Sequence, residues 1–215
     1  IWYIRKISKI KSYLILRDIF PEWALDLGLL KKGPTYYFFR LVAQFQYHVA
    51  DTIGVQTESN LKYFYKWKTR REDKKIEVLY NWLTEGKQTK SSIRIDQTIL
   101  KGRKIFVYIG NMGVAQGMDM ILDLVALYNK DQTIGFLFVG RGSETVRLKN
   151  IARKKELKNI VFSDSIDSSE FHDLLKKCHV GIVALDHKHK SHNIPGKFLT
   201  YIQSGLPVLA KINKN

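Results

Sequence analysis

Asn193-Ile194-Pro195-Gly196-Lys197-Phe198-Leu199-Thr200-Tyr201-Ile202-Gln203-Ser204-Gly205-Leu206-Pro207-Val208-Leu209-Ala210 reads as a short polar turn, a helix opened by proline, a glycine stop and a buried strand. The first N–H groups of such a helix lack partners and its dipole is positive at that end, so it forms an anion site. Lys197 falls in the first turn, and the arrangement suits a diphosphate.

Upstream of this stretch, strand and helix signals alternate. Lys104 to Ile109 is an apolar, β-branched run that predicts a buried strand, followed by the turn Gly110-Asn111-Met112-Gly113. A helix is predicted over Met118 to Asn129, then a strand over Thr133 to Val139 closed by Gly140-Arg141-Gly142. An amphipathic helix follows from Glu144 to Lys155, then a short strand over Asn159 to Phe162. Asp167-Ser168-Ser169-Glu170 has the form of a capping box and opens a helix to about Lys177. Val180 to Leu185 is a fourth strand, and Leu206 to Ile212 a fifth. Repeated βα units with short connections imply a parallel sheet with helices on both faces. Ligands of such sheets bind beyond the carboxyl ends of the strands, where the turns at 110–113, 140–142 and 186–196 fall.

The first hundred residues are more irregular. A strand is predicted at Tyr13 to Leu16, a helix over Tyr36 to Ala50, a strand over Thr52 to Thr57, a helix from Ser59 and a strand over Lys75 to Leu79. The Tyr36-Tyr37-Phe38-Phe39 cluster reads as core ahead of membrane contact. Lys87 to Lys101 is polar and poor in large apolar groups, which places a linker at 91–102 between a domain over 1–90 and a domain over 103–215.

The chain has 215 residues, a hydrophobic content of 45% and a net charge of +16. That charge attracts nucleic acid, anionic lipid or anionic substrates without choosing among them. No zinc finger, helix-turn-helix or RNP-like segment supports nucleic acid. No stretch reaches the ~18 uncharged apolar residues of a membrane span. The single cysteine, Cys178, excludes an internal disulfide and reads as a buried thiol. The histidines His187, His189 and His192 lack a metal-ligand spacing and read as a solvated basic loop. The chain begins at Ile1 and ends just past a strand, so both ends read as cut.

The order of five motifs resembles the glycosyltransferases of the retaining family four type, and most of all the members that build bacterial surface polysaccharides. The motifs are Arg17-Asp18-Ile19-Phe20-Pro21-Glu22, Val55-Gln56-Thr57-Glu58-Ser59, Val78-Leu79-Tyr80-Asn81, the stretch Ile109 to Gly117, and the stretch Pro195 to Val208. The resemblance implies an α/β chain of the GT-B fold, with two Rossmann-like domains, parallel sheets and both ends cut. Residues 1–90 would be the C-terminal part of the acceptor-side domain and 103–215 an incomplete donor domain.

The resemblance also implies a function. The chain would move a hexose or N-acetylhexosamine from a nucleotide-sugar, with UDP favoured, to a lipid-linked glycan. It would work as a peripheral protein on anionic lipid at the inner, cytoplasmic face of the membrane. No cofactor, metal or nucleic acid is expected. The donor would meet Gly110, Asn111, Gly113, Gln116, Gly140, Arg141, Ile166, Pro195, Gly196, Lys197 and Thr200. Asp18 and Glu22 are acceptor-side candidates, and no catalytic side chain is assigned. Many members carry Arg and Lys where Asn111 and Gln116 stand, and a pair of acidic residues near His192 and at Thr200. A hydroxyl at 200 cannot accept two ribose hydroxyls as a carboxylate can. The alternatives are an inactive truncated remnant, a basic nucleic-acid-binding protein and a hydrolysing epimerase of the same fold.

Overall fold

All the strands of the computed structural model pair in parallel, and they form two separate sheets. Residues 3, 7–8, 10–65, 74–83, 86–188 and 194–212 are described. The chain divides into two units. One is built on residues up to Asn81, and the other on 82–187 and 195–212.

The first unit has strands β1 (Tyr13–Leu16), β2 (Thr52–Val55) and β3 (Lys75–Val78) in the order β1-β2-β3. Helix α1 (Glu22–Asp26) and the long helix α2 (Pro34–Val49) connect β1 to β2, and α3 (Glu58–Tyr65) connects β2 to β3. The central strand contributes Ile53 and Val55 to a core completed by Ala43, Tyr47 and Ala50 from α2 and its end, and by Phe64 of α3. Helix α1 was not legible in the sequence. The aromatic run at the start of α2 is split by the 3.6-residue period. Tyr36 is buried, while Tyr37 and Phe38 are more than half exposed, so the expectation of a common core holds for only part of the run.

The second unit has strands β4 (Lys104–Ile109), β5 (Ile134–Val139), β6 (Ile160–Ser163), β7 (Val180–Ala184) and β8 (Val208–Lys211) in the order β6-β5-β4-β7-β8. Its helices are α4 (Asp119–Leu127), α5 (Thr145–Lys154), α6 (Phe171–Leu175) and α7 (Gly196–Gln203). Strand alternation feeds two cores. Ile105, Val107, Ile109, Leu137, Val139 and Val183 face one side with Leu174, Leu175 and Tyr201. Tyr108, Phe136, Phe138 and Ile182 face the other with Ile121, Leu122, Val125 and Leu148. Cys178 is buried, its thiol lies 3.3 Å from the Leu174 carbonyl, and burial pushes it up to about 12.

The strand order reverses direction at β4, which has β5 on one side and β7 on the other. Such a point opens a crevice at the carboxyl ends of the strands. Strands β4 and β7 pair only at Phe106↔Val180 and Val107↔Gly181. Beyond that the Ile109 N–H donates to the Tyr201 hydroxyl of α7 at 2.9 Å, so a side chain replaces the missing ladder bond.

The structure corrects the linker expected at 91–102. Ile93, Ile95 and Leu100 are buried in the core of the second unit. The Ser91 N–H donates to Asp173 Oδ2 at 2.8 Å and the Ser92 N–H to Glu170 Oε2 at 2.5 Å. The capping box at 167–170 is present, with the Ser169 N–H on Asp167 Oδ1 at 2.8 Å, and its Glu170 also anchors this segment.

Candidate functional site

The glycine turns after β4 and β5 lie against each other. Gly110 has φ +126° and Gly140 φ +141°, a region that side chains rarely adopt. A Cβ on Gly140 would stand 2.1 Å from the Gly110 carbonyl oxygen, so the contact needs glycine. The Met112 N–H donates to the Arg141 carbonyl at 2.9 Å and joins the two turns. The turn after β4 is closed by Gln116, whose Oε1 accepts from the Gly113 N–H at 3.0 Å.

These turns frame a pocket of about 250 Å³ lined by Ile109, Gly110, Asn111, Val139, Gly140, Arg141, Ser165, Ile166 and Phe171. Gly110, Asn111, Gly140, Arg141 and Ile166 from the sequence-derived set therefore share one cavity, with Arg141 exposed at its rim. Ser165 and Phe171 were not foreseen.

Helix α7 starts beside this cavity. Pro195 is its N-cap, and among the described residues no side chain caps the helix start; the Gly196 and Lys197 amides belong to the first turn, which has no partners within the helix. A Cβ on Gly110 would stand 3.7 Å from Lys197 Nζ, which places the amine against the glycine turn. Lys197 Nζ donates to the Tyr108 hydroxyl at 2.6 Å and lies 3.8 Å from that ring's centroid. The Tyr108 hydroxyl in turn donates to the Asn111 carbonyl at 2.6 Å. Burial pulls the Lys197 amine down to about 7 and holds the Tyr108 phenol well above its usual range. Among the described residues no carboxylate pairs with Lys197.

Two sequence-derived residues face other tasks. Gln116 has spent one acceptor on its own turn. Thr200 Oγ1 donates to the Gly196 carbonyl at 3.4 Å, one turn back in α7. His187 lies 3.5 Å from Asp186 Oδ1, and His189 and His192 are outside the described residues. Among the described residues no cluster of three metal-ligating side chains occurs. Tyr108 was missed, although a signal existed. A tyrosine in a buried strand needs a partner for its hydroxyl, and Tyr108 stands one residue before the carboxyl end of β4.

In the first unit Asp18 is exposed, whereas Glu22 is drawn inward. Glu22 Oε1 accepts from the Tyr63 hydroxyl at 2.8 Å, and its Oε2 is buried without a hydrogen-bond partner among the described residues. Burial first and the Glu22 charge second raise the phenol of Tyr47; Tyr36 is raised in the same way.

A family profile described as glycosyl transferases group 1 matches residues 89–211. The chain belongs to the glycosyl transferases group 1 family. It is 26% identical over 213 residues to a Pseudomonas aeruginosa protein named "Probable glycosyltransferase WbjE", a match covering 95% of this chain and 52% of that one. It is 23% identical over 168 residues to WcaI of Escherichia coli (strain K12), which carries the name of a colanic acid biosynthesis glycosyl transferase; 74% of this chain and 40% of that one are covered. The chain thus spans about half the length of the curated relatives it matches. Among solved structures, Anabaena HepE in complex with UDP-glucose superposes with a TM-score of 0.68 at 15% identity, over 97% of this chain and 55% of that one. The fold is therefore that of the GT-B glycosyltransferases, with two Rossmann-like units.

Proposed function

We propose that this family member is part of a retaining glycosyltransferase that takes a hexose or N-acetylhexosamine from a UDP-sugar and transfers it to a lipid-linked glycan in surface-polysaccharide synthesis. The observation that carries this reading is the Lys197 amine held against Gly110 at the carboxyl edge of the donor-type sheet. A cation and unpaired helix amides supply positive charge where a diphosphate leaving group develops negative charge. The lined pocket is small against the usual scale of ligand sites and accounts for the nucleoside end of such a donor. HepE, which shares the fold, was solved with UDP-glucose, and WbjE and WcaI bear glycosyltransferase names. In this reading Gly110, Gly140, Gly196 and Lys197 surround the diphosphate, Ile166 borders the base, and the departing diphosphate acts as the base for the incoming hydroxyl.

Attachment to an anionic membrane face on the cytoplasmic side belongs to the same proposal. Among the described residues no helix is long and apolar enough to cross a membrane. The outer face of α2 carries Tyr37, Phe38, Leu41, Val42 and Phe45, all exposed. Lys31, Lys32 and Arg40 are exposed nearby, and no acidic residue occurs from Leu27 to Ala50. An apolar stripe flanked by cations matches an anionic lipid surface.

Titration calorimetry with UDP, UDP-glucose, UDP-N-acetylglucosamine and GDP-sugars tests the donor site. Saturable binding of a UDP-sugar is expected, and heat changes with none of these ligands would remove the reading. Co-sedimentation with phosphatidylglycerol vesicles, absent with phosphatidylcholine alone, tests the membrane part.

A further inference from the structure

We propose that Tyr108 is a positioning residue for donor binding: it holds the Lys197 amine beside Gly110 before the nucleotide-sugar arrives and presents it in place to the diphosphate. This rests on the donor-site reading above.

Tyr108 is well placed for the task. Its ring is fully buried in β4, packed 5.8 Å from the Phe138 ring, so it cannot swing. Its hydroxyl proton is committed to the Asn111 carbonyl at 2.6 Å. The phenol oxygen is left with lone pairs only, and it can receive Lys197 but not donate to it. The amine is thus held by the oxygen at 2.6 Å and by the ring at 3.8 Å. On the other side of β4, Tyr201 ties α7 to the same strand through the Ile109 N–H at 2.9 Å. The two tyrosines fix both the lysine and the helix that carries it to the strand that carries the glycine turn. A free lysine loses rotamer freedom on being ordered, and here that ordering precedes the ligand.

The groups against the amine are the Tyr108 hydroxyl and ring from β4 and the Gly110 turn, while Arg141 lies at the pocket rim. Among the described residues none is a carboxylate. Burial alone lowers the amine to about 7, so an arriving diphosphate meets a lysine that gains a proton as it binds. The diphosphate of a UDP-sugar is esterified at both ends and does not titrate near neutrality, so proton uptake reports on the protein.

The test is calorimetry on the intact chain with UDP-glucose and UDP-N-acetylglucosamine, at about pH 6 and about pH 8, in buffers of different ionisation heat. Wild type, Tyr108→Phe, Lys197→Met and the double variant are compared. Losing the pre-ordering of the lysine predicts roughly tenfold weaker binding for Tyr108→Phe. Lys197→Met loses about a hundredfold. The double variant matches Lys197→Met, because Tyr108 acts through the lysine. Proton uptake is present in wild type and gone with Lys197→Met. Lys197→Arg, which does not titrate, binds without the pH step and stands in if Tyr108→Phe fails to fold. Additive losses in the double variant, unchanged Kd in Tyr108→Phe, or a pH step that persists in Lys197→Arg would overturn the proposal while leaving the donor site standing. Failure of the wild type to bind any UDP-sugar removes the donor-site reading, and this proposal with it.

Discussion

Glu22 in the first unit and Lys197 in the second are half-buried charges held by tyrosine, and the tyrosine does opposite work in the two places. Around Glu22 the phenols are donors. Tyr63 gives its proton to the carboxylate at 2.8 Å, and Tyr36 and Tyr47 feel the same negative charge. Around Lys197 the phenol is an acceptor, because its proton already goes to Asn111. The first arrangement gives one oxygen of a carboxylate its donor inside a unit and joins α1 to α3. The second leaves an amine that a stronger anion can take. A charge met by a donated proton within its own unit builds structure; one met only by a neutral oxygen and a ring face stays open to a ligand.

The largest expected effect comes from Lys197. Its amine sits near 7 when folded against an ordinary value of 10.5, so between those values the unfolded chain holds a proton that the folded chain lacks. Stability of the ligand-free protein therefore rises with pH from about 7 towards 10, by several kcal/mol with about 5 as the ceiling. Lys197→Met should abolish that slope in urea melts recorded across the range. Above about pH 10 the buried phenols of Tyr47 and Tyr63 take over with the opposite sign, because the folded chain then keeps protons that the unfolded chain gives up.

The next effect belongs to the other charge. Glu22→Ala leaves the Tyr63 hydroxyl without its acceptor and should cost about 2–3 kcal/mol in the same melts, with UDP-sugar affinity unchanged. A drop in donor affinity would break the contrast between the two charges. Tyr63→Phe removes one hydrogen bond while keeping the ring and should cost about 1 kcal/mol. The smallest effect is expected at Thr200. Its back-bond to Gly196 is long at 3.4 Å, so Thr200→Val should change stability by less than about 0.5 kcal/mol. A large loss of UDP-sugar affinity in that variant, read by calorimetry, would show its hydroxyl to be a ribose partner.

The second sheet was legible because its strands are largely apolar runs, two of which end in glycine. Lys104 to Ile109 stops at Gly110, and Ile134 to Val139 at Gly140, so both the strands and the pocket edge they bear could be placed. The segment 91–102 was not legible as core. Its average polarity hides Ile93, Ile95 and Leu100, and what captures it is Glu170 and Asp173, some 80 residues on (78 and 82 apart from their partners). Local composition carries no trace of such a long-range contact. The same holds for Tyr108. Strand alternation says that it is buried, but not that Lys197 meets it from 89 residues away.

The Tyr201 hydroxyl that takes up the Ile109 N–H has a consequence for how this chain can be altered. It rivets α7 to β4 from within, at a point where the Gly181 position leaves no room for a side chain beneath the ring: a Cβ there would stand 2.4 Å from it. The aim of Lys197 is therefore set by the interior of the second unit. A side chain added at Gly181 should misdirect Lys197 without touching it.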